Sequence, residues 1–337
     1  MNMTPVKYLL SIAAAFSMAV PAALAQTAQS EAAQQEEIIV FGARLEETIP
    51  LDLQQFGNRV KIITADDLKL GGFNDLGQSL QMKVPGLYLA PKNGAFDYMD
   101  CSLQGSRCQD ILWLIDGVRI NNRLYNSTSP LDTVPAHMVE RIEVLYGGQG
   151  IFYGTQSVAG VINVVTKSFS EEAGGSVGLS LDGNDGTHFS ADYSMSIDDH
   201  QLVFYMSDDE AVGFQPFRTQ DYQPSGTDFD RGYDVLTAGV KYGYSFSPDS
   251  SLTLHFHRTD NEVEFASPDN YERAFNERVE DLFTAKWDYS VSDNMELFVK
   301  GYYHKWDSHW TQRENELDGA GQLTGNVVFV SNQEFWG

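Results

Sequence analysis

The stretch V139-E-R-I-E-V-L-Y-G-G-Q-G-I-F-Y-G-T-Q-S-V-A-G-V-I-N-V-V-T-K167 contains two predicted β-strands on either side of a glycine-rich turn. Residues 141–146 follow a period-two pattern, which predicts the first strand. The glycines between 147 and 154 predict a tight turn, because glycine adopts backbone conformations in which bulky side chains would clash. Residues 160–166 are almost wholly apolar, which is typical of a strand covered on both faces.

A second motif lies upstream, where Ile111–Ile115 predicts a buried strand that stops at the turn Asp116-Gly117. The two motifs, L114-I-D-G-V-R-I-N121 and the stretch 139–167, resemble the plug domain of TonB-dependent outer-membrane receptors. Two linked motifs of this length in this order make the resemblance specific, and it extends closely over residues 38–167. It implies an α+β plug domain followed by antiparallel transmembrane β-barrel strands, which is the fold class that we expect.

Two positions depart from the family pattern. Gln104-Gly105 stands where many members have Arg-Gly, and Tyr146 begins a Tyr-Gly-Gly where Arg-Gly-Pro is common. In the family those arginines join polar contacts between the plug and the barrel wall, so both positions are neutral here. The residues that we expect to supply plug–barrel contacts instead are Arg107, Arg141 and Glu143.

The first 25 residues predict an export signal. Lys7 provides the positive start, residues 8–20 the apolar core, and Ala23-Leu24-Ala25 a cleavage site. The apolar run is too short to span a bilayer as a helix. Together with the resemblance, export predicts the outer membrane of a Gram-negative bacterium, with the plug and the N-terminus facing the periplasm.

Composition disfavours other functions. The chain has 22 basic and 47 acidic residues and a formal net charge of −25, which disfavours nucleic-acid binding. Its sequence has no evident nucleophile–base set, phosphate-binding loop or zinc signature, so we expect no enzyme activity and no cofactor. His255 and His257 could form a metal pair on one strand face. Without a third ligand at a recognisable spacing, however, we expect them to line the barrel lumen and bind no metal.

The two cysteines, Cys101 and Cys108, are separated by six residues. In an oxidising compartment such a pair predicts a disulfide that closes a small loop. A metal or redox pair is the alternative, but C-x6-C matches no usual ligand spacing. The entropic stabilisation by so short a loop is about 2–3 kcal/mol, so the bond's expected role is to hold the shape of the loop.

Residues 36–42, E-E-I-I-V-F-G, form a short β-prone run in a polar N-terminal segment. An edge strand of the plug is one interpretation. The resemblance implies another, a TonB box, in which the segment adds as a strand to a sheet of the energising TonB complex through backbone hydrogen bonds. The expected TonB-binding residues are Ile38, Ile39, Val40 and Phe41.

After Lys167 the sequence alternates between apolar and polar residues in seven or eight strand-length segments. A soluble β-sandwich would give the same alternation. Two features favour strands in outer-membrane lipid: short connections alternate with long ones, at 208–233 and 258–276, and aromatic residues lie near strand ends, as in interfacial girdles. These aromatic residues are Tyr242, Tyr244, Phe246, Trp287, Tyr289, Tyr303 and Trp306.

The expected domains are a signal peptide at 1–25, a flexible segment with the TonB box at 26–45, the plug at 46–168, and about eight barrel strands at 169–337. Within the plug, the sequence predicts a strand over 60–64, helices from 65 and over 75–83, and a strand over 87–89. Barrels that hold a plug have about 22 strands. We therefore expect a fragment or a truncated gene product that lacks much of its barrel.

Two polar, aromatic-bearing loops, 92–100 and 121–129, are candidates for ligand contact. In the family such plug loops point into the lumen and touch the ligand together with long outer loops, whereas ordinary exposed loops are the alternative. The side chains that we expect to bind ligand are Asp97, Tyr98, Arg123 and Tyr125.

The resemblance implies an importer that is gated by its ligand and driven by the TonB complex. An iron–siderophore or cobalamin-like metal chelate is the first choice of ligand and an oligosaccharide the second, since the compact plug resembles that of metal-chelate receptors. A non-transporting truncated product, in which only the plug folds, is the alternative from another class. An exported enzyme is disfavoured because no catalytic set is evident.

Overall fold

The computed structural model describes residues 59–91, 95–96, 99–121, 131, 134–265, 267–292 and 295–336. They comprise a small mixed α/β part up to residue 167, called the plug below, and an eight-stranded antiparallel sheet from residue 174. Within these ranges, no helix is long and apolar enough to cross a membrane. The predicted signal peptide and TonB box lie outside the described residues.

The plug contains the strands and helices that its sequence predicts over 60–89, and the prediction of these elements is confirmed. The glycine-rich turn after residue 146 also contains a short helix, which the sequence analysis did not predict. In chain order the elements are β1 (Val60–Thr64), α1 (Ala65–Gly71), α2 (Leu76–Lys83), β2 (Leu87–Pro91), β3 (Met99–Leu103), β4 (Ile111–Ile115), β5 (Val118–Arg119), β6 (Val139–Tyr146), α3 (Gly150–Tyr153) and β7 (Gly160–Thr166).

Five of these strands form one sheet in the order β1-β6-β7-β4-β5, and β2 and β3 form a separate hairpin. β4 pairs with β7 in parallel, and both strands are buried along their whole length, as predicted for strands covered on both faces. Ile63, Trp113, Ile142 and Ile162 are at most 1% exposed in the core of the plug.

The second sheet joins its strands in sequence order, each antiparallel to the next. Very short connections, 198–199, 248–249 and 293–294, alternate with the connections 182–185, 215–230, 265–270 and 318–322. The strands are β8 (Gly174–Leu181), β9 (Gly186–Ile197), β10 (His200–Phe214), β11 (Arg231–Ser247), β12 (Ser250–Glu264), β13 (Tyr271–Ser292), β14 (Met295–Leu317) and β15 (Leu323–Trp336).

The two long connections are shorter than the sequence predicts. The predicted loop 208–233 is 215–230, and the predicted loop 258–276 is 265–270, because β10 to β13 continue past their apolar residues. Charged residues such as Asp209 and Glu262 still pair in these extensions, since backbone hydrogen bonds do not depend on the polarity of the side chain.

One face of this sheet, called the outer face below, is apolar and exposed, whereas the opposite inner face is polar and buried. On the inner face, Lys241 and His255 are cross-strand neighbours with at most 1% exposure. A soluble sandwich buries its apolar face, so the β-sandwich alternative does not fit. One outer-face row crosses six strands, with exposures of 37–59%: Tyr193, Phe204, Val240, Phe256, Phe283 and Tyr303.

The aromatic residues near strand ends fall into two groups. Trp287 and Tyr289 stack on the outer face, with ring centroids 5.7 Å apart and exposures of 39% and 40%. Trp306 is only 8% exposed, so its predicted place in an exposed girdle is wrong. Trp306 pairs in register with Glu280 on the inner face. The prediction used only its nearness to a strand end, which does not tell on which face a side chain lies.

Gly160 provides a test of packing in the plug. A Cβ atom there would lie 2.5 Å from the carbonyl oxygen of Leu145 and 2.7 Å from Leu103 Cδ2. We expect Gly160→Ala to destabilise the plug by about 1–3 kcal/mol through overpacking. Thermal unfolding of the purified protein, with limited proteolysis of the plug, measures this effect.

Gly150→Ala is the matched control, because nothing lies within 4 Å of the position its Cβ would take. It starts α3, where alanine is favoured over glycine, so we expect unchanged or slightly higher stability. Equal unfolding midpoints for both variants would contradict the packing described for Gly160.

Candidate functional site between the plug and the sheet

The end of the eight-stranded sheet that carries the longer connections is called the loop end below. There the plug contacts the inner face of the sheet through an aromatic side chain. Phe96 is fully buried and packs on Tyr233, with ring centroids 4.9 Å apart. Ala211, Val235 and Val263 complete this apolar cluster. Phe96 therefore fixes this point of the plug against β10, β11 and β12.

Asp75 holds Phe96 in place from within the plug. Its Oδ2 accepts a hydrogen bond from the Phe96 backbone N–H at 3.0 Å, and its Oδ1 accepts one from the Gln78 N–H at 3.1 Å, capping α2. Burial raises the pKa of the Asp75 carboxyl, although these hydrogen bonds act in the opposite direction. A single buried carboxylate thus joins the start of α2 to the contact at Phe96.

A second contact is polar and centres on Asp116. Asp116 and Gly117 have φ angles of 46° and 71°, in the turn that joins β4 to β5. The Asp116 carboxylate accepts hydrogen bonds from the Thr166 backbone N–H at 3.0 Å and from Thr166 Oγ1 at 2.6 Å. Hydrogen bonds within the plug therefore orient this carboxylate independently of the sheet.

Basic side chains of the sheet surround the same turn. Lys241 Nζ lies 3.4 Å from Asp116 Oδ1 and donates to the Thr166 carbonyl at 3.2 Å. His255 Nδ1 lies 3.4 Å from Asp116 Oδ2, and Lys300 Nζ donates to the Asp116 carbonyl at 3.2 Å. The side chains of Asp116, Lys241 and His255 are at most 1% exposed, so the Asp116–Lys241 ion pair and the imidazole beside it lie away from solvent.

The two histidines considered as a metal pair are held by a tyrosine. The Tyr205 hydroxyl lies 3.0 Å from His255 Nε2 and 3.0 Å from His257 Nδ1. Neither histidine belongs to the one group of side chains in the described ranges that is close enough to share a cation. That group, Asp307, His309 and Glu334, is partly exposed and holds ion pairs of 3.7 and 4.0 Å.

A cavity of about 190 Å³ lies at the loop end, between the plug and the sheet. At its side, His188 Nε2 is 2.9 Å from the Asn74 amide nitrogen and 3.1 Å from Asp182 Oδ2. The lining mixes amide, carboxylate, guanidinium and phenol groups, which suit a polar ligand group. It comprises Gly72, Asn74, Gln78, Ala95, Asp182, Asn184, Gly213, Phe214, Arg231 and Tyr233.

The connection 215–230 extends beyond the sheet at the same end. Asn315 of β14 fixes it, because its side-chain amide donates to the Ser225 carbonyl at 2.8 Å and to Thr227 Oγ1 at 2.9 Å. Asp228 of this connection accepts a hydrogen bond from the Ala274 N–H at 3.3 Å. Burial raises the pKa of Asp228 to about 6, and the neighbouring Glu264 adds to this rise.

Most of the predicted site residues lie outside the described part of the chain. They are Ile38, Ile39, Val40 and Phe41 of the TonB box and Asp97, Tyr98, Arg123 and Tyr125 of the ligand loops, and their roles stay predictions. The predicted disulfide is present between Cys101 of β3 and Cys108, with Cα atoms 4.8 Å apart. It ties the β2–β3 hairpin to the segment before β4.

The predicted plug–barrel contacts of Arg107, Arg141 and Glu143 also stay predictions. In the structure Arg107 forms a 2.9 Å ion pair with Asp110, and Arg141 forms one of 2.9 Å with Glu143, both within the plug. Asn163 also donates to Glu143 at 3.1 Å.

The residues that join plug and sheet were not singled out from the sequence. Asp116 was recognised only as a turn residue, and Lys241 only as one polar position in an alternating strand. Lys241 did carry a signal, because it is the only charged residue among the Thr, Gly and Ser positions between 236 and 246. Its partner could not be found this way, since 125 residues separate it from Asp116.

A family model for the TonB-dependent receptor plug domain matches residues 52–161. Over these residues the chain is similar to the plug domain of TonB-dependent receptors. The vitamin B12 transporter BtuB of Vibrio cholerae serotype O1 is 26% identical to this chain over 250 residues, which are 73% of this chain and 37% of the relative. BtuB of Vibrio vulnificus is 28% identical over 188 residues, which are 55% of this chain and 29% of that protein. The chain thus spans well under half the length of these relatives.

Solved structures share the fold of this chain. The ferripyoverdine receptor of Pseudomonas aeruginosa superposes with a TM-score of 0.62 at 15% identity, over 82% of this chain and 37% of that chain. The ferric yersiniabactin uptake receptor FyuA of Yersinia pestis gives 0.60 at 18% identity, over 76% and 42%. The predicted fold, a plug followed by antiparallel barrel strands, is confirmed.

Asp228 predicts a pH dependence of stability. Its pKa is about 6 in the folded protein and 3.8 ordinarily, so between these values the folded state binds more protons than the unfolded one. Stability therefore falls as the pH rises through this window and is constant above it. Asn cannot ionise, so we expect Asp228→Asn to remove this fall. Above pH 6 the free energy of unfolding of the variant should exceed that of wild type by about 1 kcal/mol, a value reduced to allow for the partial exposure of Asp228.

Unfolding temperatures of the purified protein at pH 4, 5, 6 and 7 measure the effect. Asp230→Asn, at an exposed neighbour in the same connection, is the control for the loss of one acidic charge. A difference between wild type and Asp228→Asn that does not change with pH would contradict the buried environment of Asp228.

Proposed function

We propose that this chain forms the plug and the first barrel strands of an outer-membrane importer for a metal chelate, driven by the TonB complex. The observation that carries the proposal is a sheet with an exposed apolar outer face and a polar inner face that is covered by a plug. Lipid matches the first face, and a water-filled passage matches the second once the plug changes shape.

The length and limits of the apolar face support a position in a membrane. On β11 the outer-face residues are apolar from Leu236 to Tyr244, close to the 9–11 residues of a membrane-crossing strand. At the loop end they give way to a cross-strand row of carboxylates, Glu210, Asp234, Glu262 and Glu277, which hydrocarbon would not accept. The very short connections then face the periplasm, and the longer ones face outward.

The loop-end cavity is the proposed contact for one part of the ligand. At about 190 Å³ it is smaller than the 300–1,000 Å³ usual for complete ligand sites. A bulky chelate would place one polar arm there and reach the loops that carry Asp97, Tyr98, Arg123 and Tyr125 with the rest. The BtuB relatives are named as vitamin B12 transporters and several solved neighbours as siderophore receptors, which supports a chelate over an oligosaccharide.

Energy would enter through the N-terminal segment. The TonB box at Ile38–Phe41 would add as a strand to the energising complex, and pulling on it would reach the plug at β1. β1 is an edge strand that pairs only with β6 among the described strands, so it is the first element of the sheet that such a force would load.

Deletion of Ile38–Phe41 tests the energising step in the complete receptor in its native outer membrane. We expect uptake of the chelate to be lost and binding to cells to stay within about twofold, because the box lies far in sequence from the ligand loops. Deletion of residues 30–33, an equally long piece of the same polar segment, is the control and should keep uptake. Undiminished uptake without the box would rule out its assignment.

The ligand class is tested by direct binding to the purified complete receptor. Cyanocobalamin, a panel of ferric siderophores and a panel of oligosaccharides serve as probes, and we expect saturable binding of one of the metal chelates. If only an oligosaccharide binds saturably, the proposed ligand class is wrong, and the ligand is an oligosaccharide.

A further inference from the structure

We propose that Asp116, Lys241 and His255 form an anchor that keeps one edge of the plug attached to the sheet while a substrate passes. The inference rests on the proposed function and adds to it the part of the plug that stays in place. It follows from where these three residues lie in the two sheets and from the burial of their side chains.

The anchor is built from one acid of the plug and several bases of the sheet. Lys241 Nζ and His255 Nδ1 each lie 3.4 Å from a carboxylate oxygen of Asp116. Lys300 Nζ adds a hydrogen bond of 3.2 Å to the Asp116 carbonyl. In a chain with 22 Lys and Arg residues against 47 Asp and Glu residues, two lysines at one turn are a local reversal of the overall charge.

The plug presents this carboxylate rigidly. Thr166, at the end of β7, donates two hydrogen bonds to the Asp116 carboxylate, one from its backbone N–H at 3.0 Å and one from Oγ1 at 2.6 Å. Lys241 Nζ in turn donates a hydrogen bond to the Thr166 carbonyl at 3.2 Å. One lysine of the sheet therefore holds both the β4–β5 turn and the end of β7. Because both ends of the ion pair are about 1% exposed, water is a poor substitute for either partner while the interface is closed.

The anchor lies at the edge of the plug that a pull from the N-terminus would load last. In the order β1-β6-β7-β4-β5, the β4–β5 turn is at the opposite edge from β1. The chain leaves the plug beside it, and the linker is fixed there as well, through Lys167–Asp192 at 3.6 Å and a hydrogen bond of 2.9 Å from Ser170 N–H to Ser194 Oγ. The contacts at this edge thus lie next to the segment that links the plug covalently to the sheet, and they add to that link.

A double-mutant cycle on the complete receptor tests the ion pair. Asp116→Asn leaves the Lys241 ammonium buried without this carboxylate, and Lys241→Met leaves the carboxylate without its closest ammonium. We expect each single variant to raise the rate of protease cleavage in the plug roughly tenfold, and the double variant to return it to within about threefold of wild type. Rescue by the second substitution is a result that mere loss of packing would not give.

The chain offers a matched control in Asp67 and Lys83 of the plug. Their ion pair has the same 3.4 Å separation, but the side chains are 41% and 36% exposed. Asp67→Asn, Lys83→Met and the double variant should each stay within about twofold of wild type. Two results would overturn the anchor. One is that Asp116→Asn and Lys241→Met each change the cleavage rate by no more than the control variants do. The other is that the cleavage rate of the double variant rises by the product of the two single-variant increases.

Covalent closure tests whether the anchor stays shut. Asp116→Cys combined with Lys241→Cys, joined by a short bis-maleimide, replaces the ion pair by a bond, while Cys101 and Cys108 are protected in their disulfide. We expect chelate uptake by the cross-linked receptor to be at least half that of the untreated double variant. Loss of uptake would mean that this edge must part, and it would overturn the anchor.

The two proposals fail in different ways. If wild-type receptor takes up no chelate, the proposed function is wrong, whereas the protease measurements still report on the ion pair because they need no ligand. If uptake is normal and the cycle shows no rescue, only the anchor is wrong.

Discussion

Coverage of the polar inner face of the sheet is the constraint on which the rest of the structure depends. Lys241, His255 and His257 are buried there, and buried polar groups are costly unless they are paired. The plug supplies such partners through Asp116 and Thr166, while Phe96 fills the apolar patch at the loop end. Neither the plug nor this face of the sheet is complete without the other.

A polar interface also suits the proposed importer, in which a passage must open. Parting two apolar surfaces costs about 25 cal/mol per Å² of newly exposed area. Parting hydrogen-bonded and charged groups into a wet passage costs less, because water replaces the lost partners. Among the described residues, the fully buried apolar contacts between plug and sheet are the Phe96 cluster and Val203, Tyr205 and Leu282, which pack on the plug core. Away from the Asp116 anchor, the interface can therefore be specific when closed and still be reopened in the proposed importer.

The proposed ligand contacts lie at the loop end, where the cavity is found. The relatives that match in sequence are named for vitamin B12, and two structural neighbours are named for ferric yersiniabactin and ferripyoverdine. Binding residues commonly lie on loops positioned by such a scaffold. The cavity beside Arg231 and Tyr233 and the connection held by Asn315 are the described parts of that region.

The sequence by itself determined the plug, because its strands, helix caps and glycine turns are local patterns and its two motifs are long. It also determined the period of the later strands, but not which face is buried, since alternation looks the same in a sandwich and in a membrane sheet. Tertiary structure decided that question through the exposed row at Phe204, Val240 and Phe256. It alone brought Asp116 to Lys241, because ion pairs between residues far apart in the chain depend on how the sheets pack and leave no local pattern.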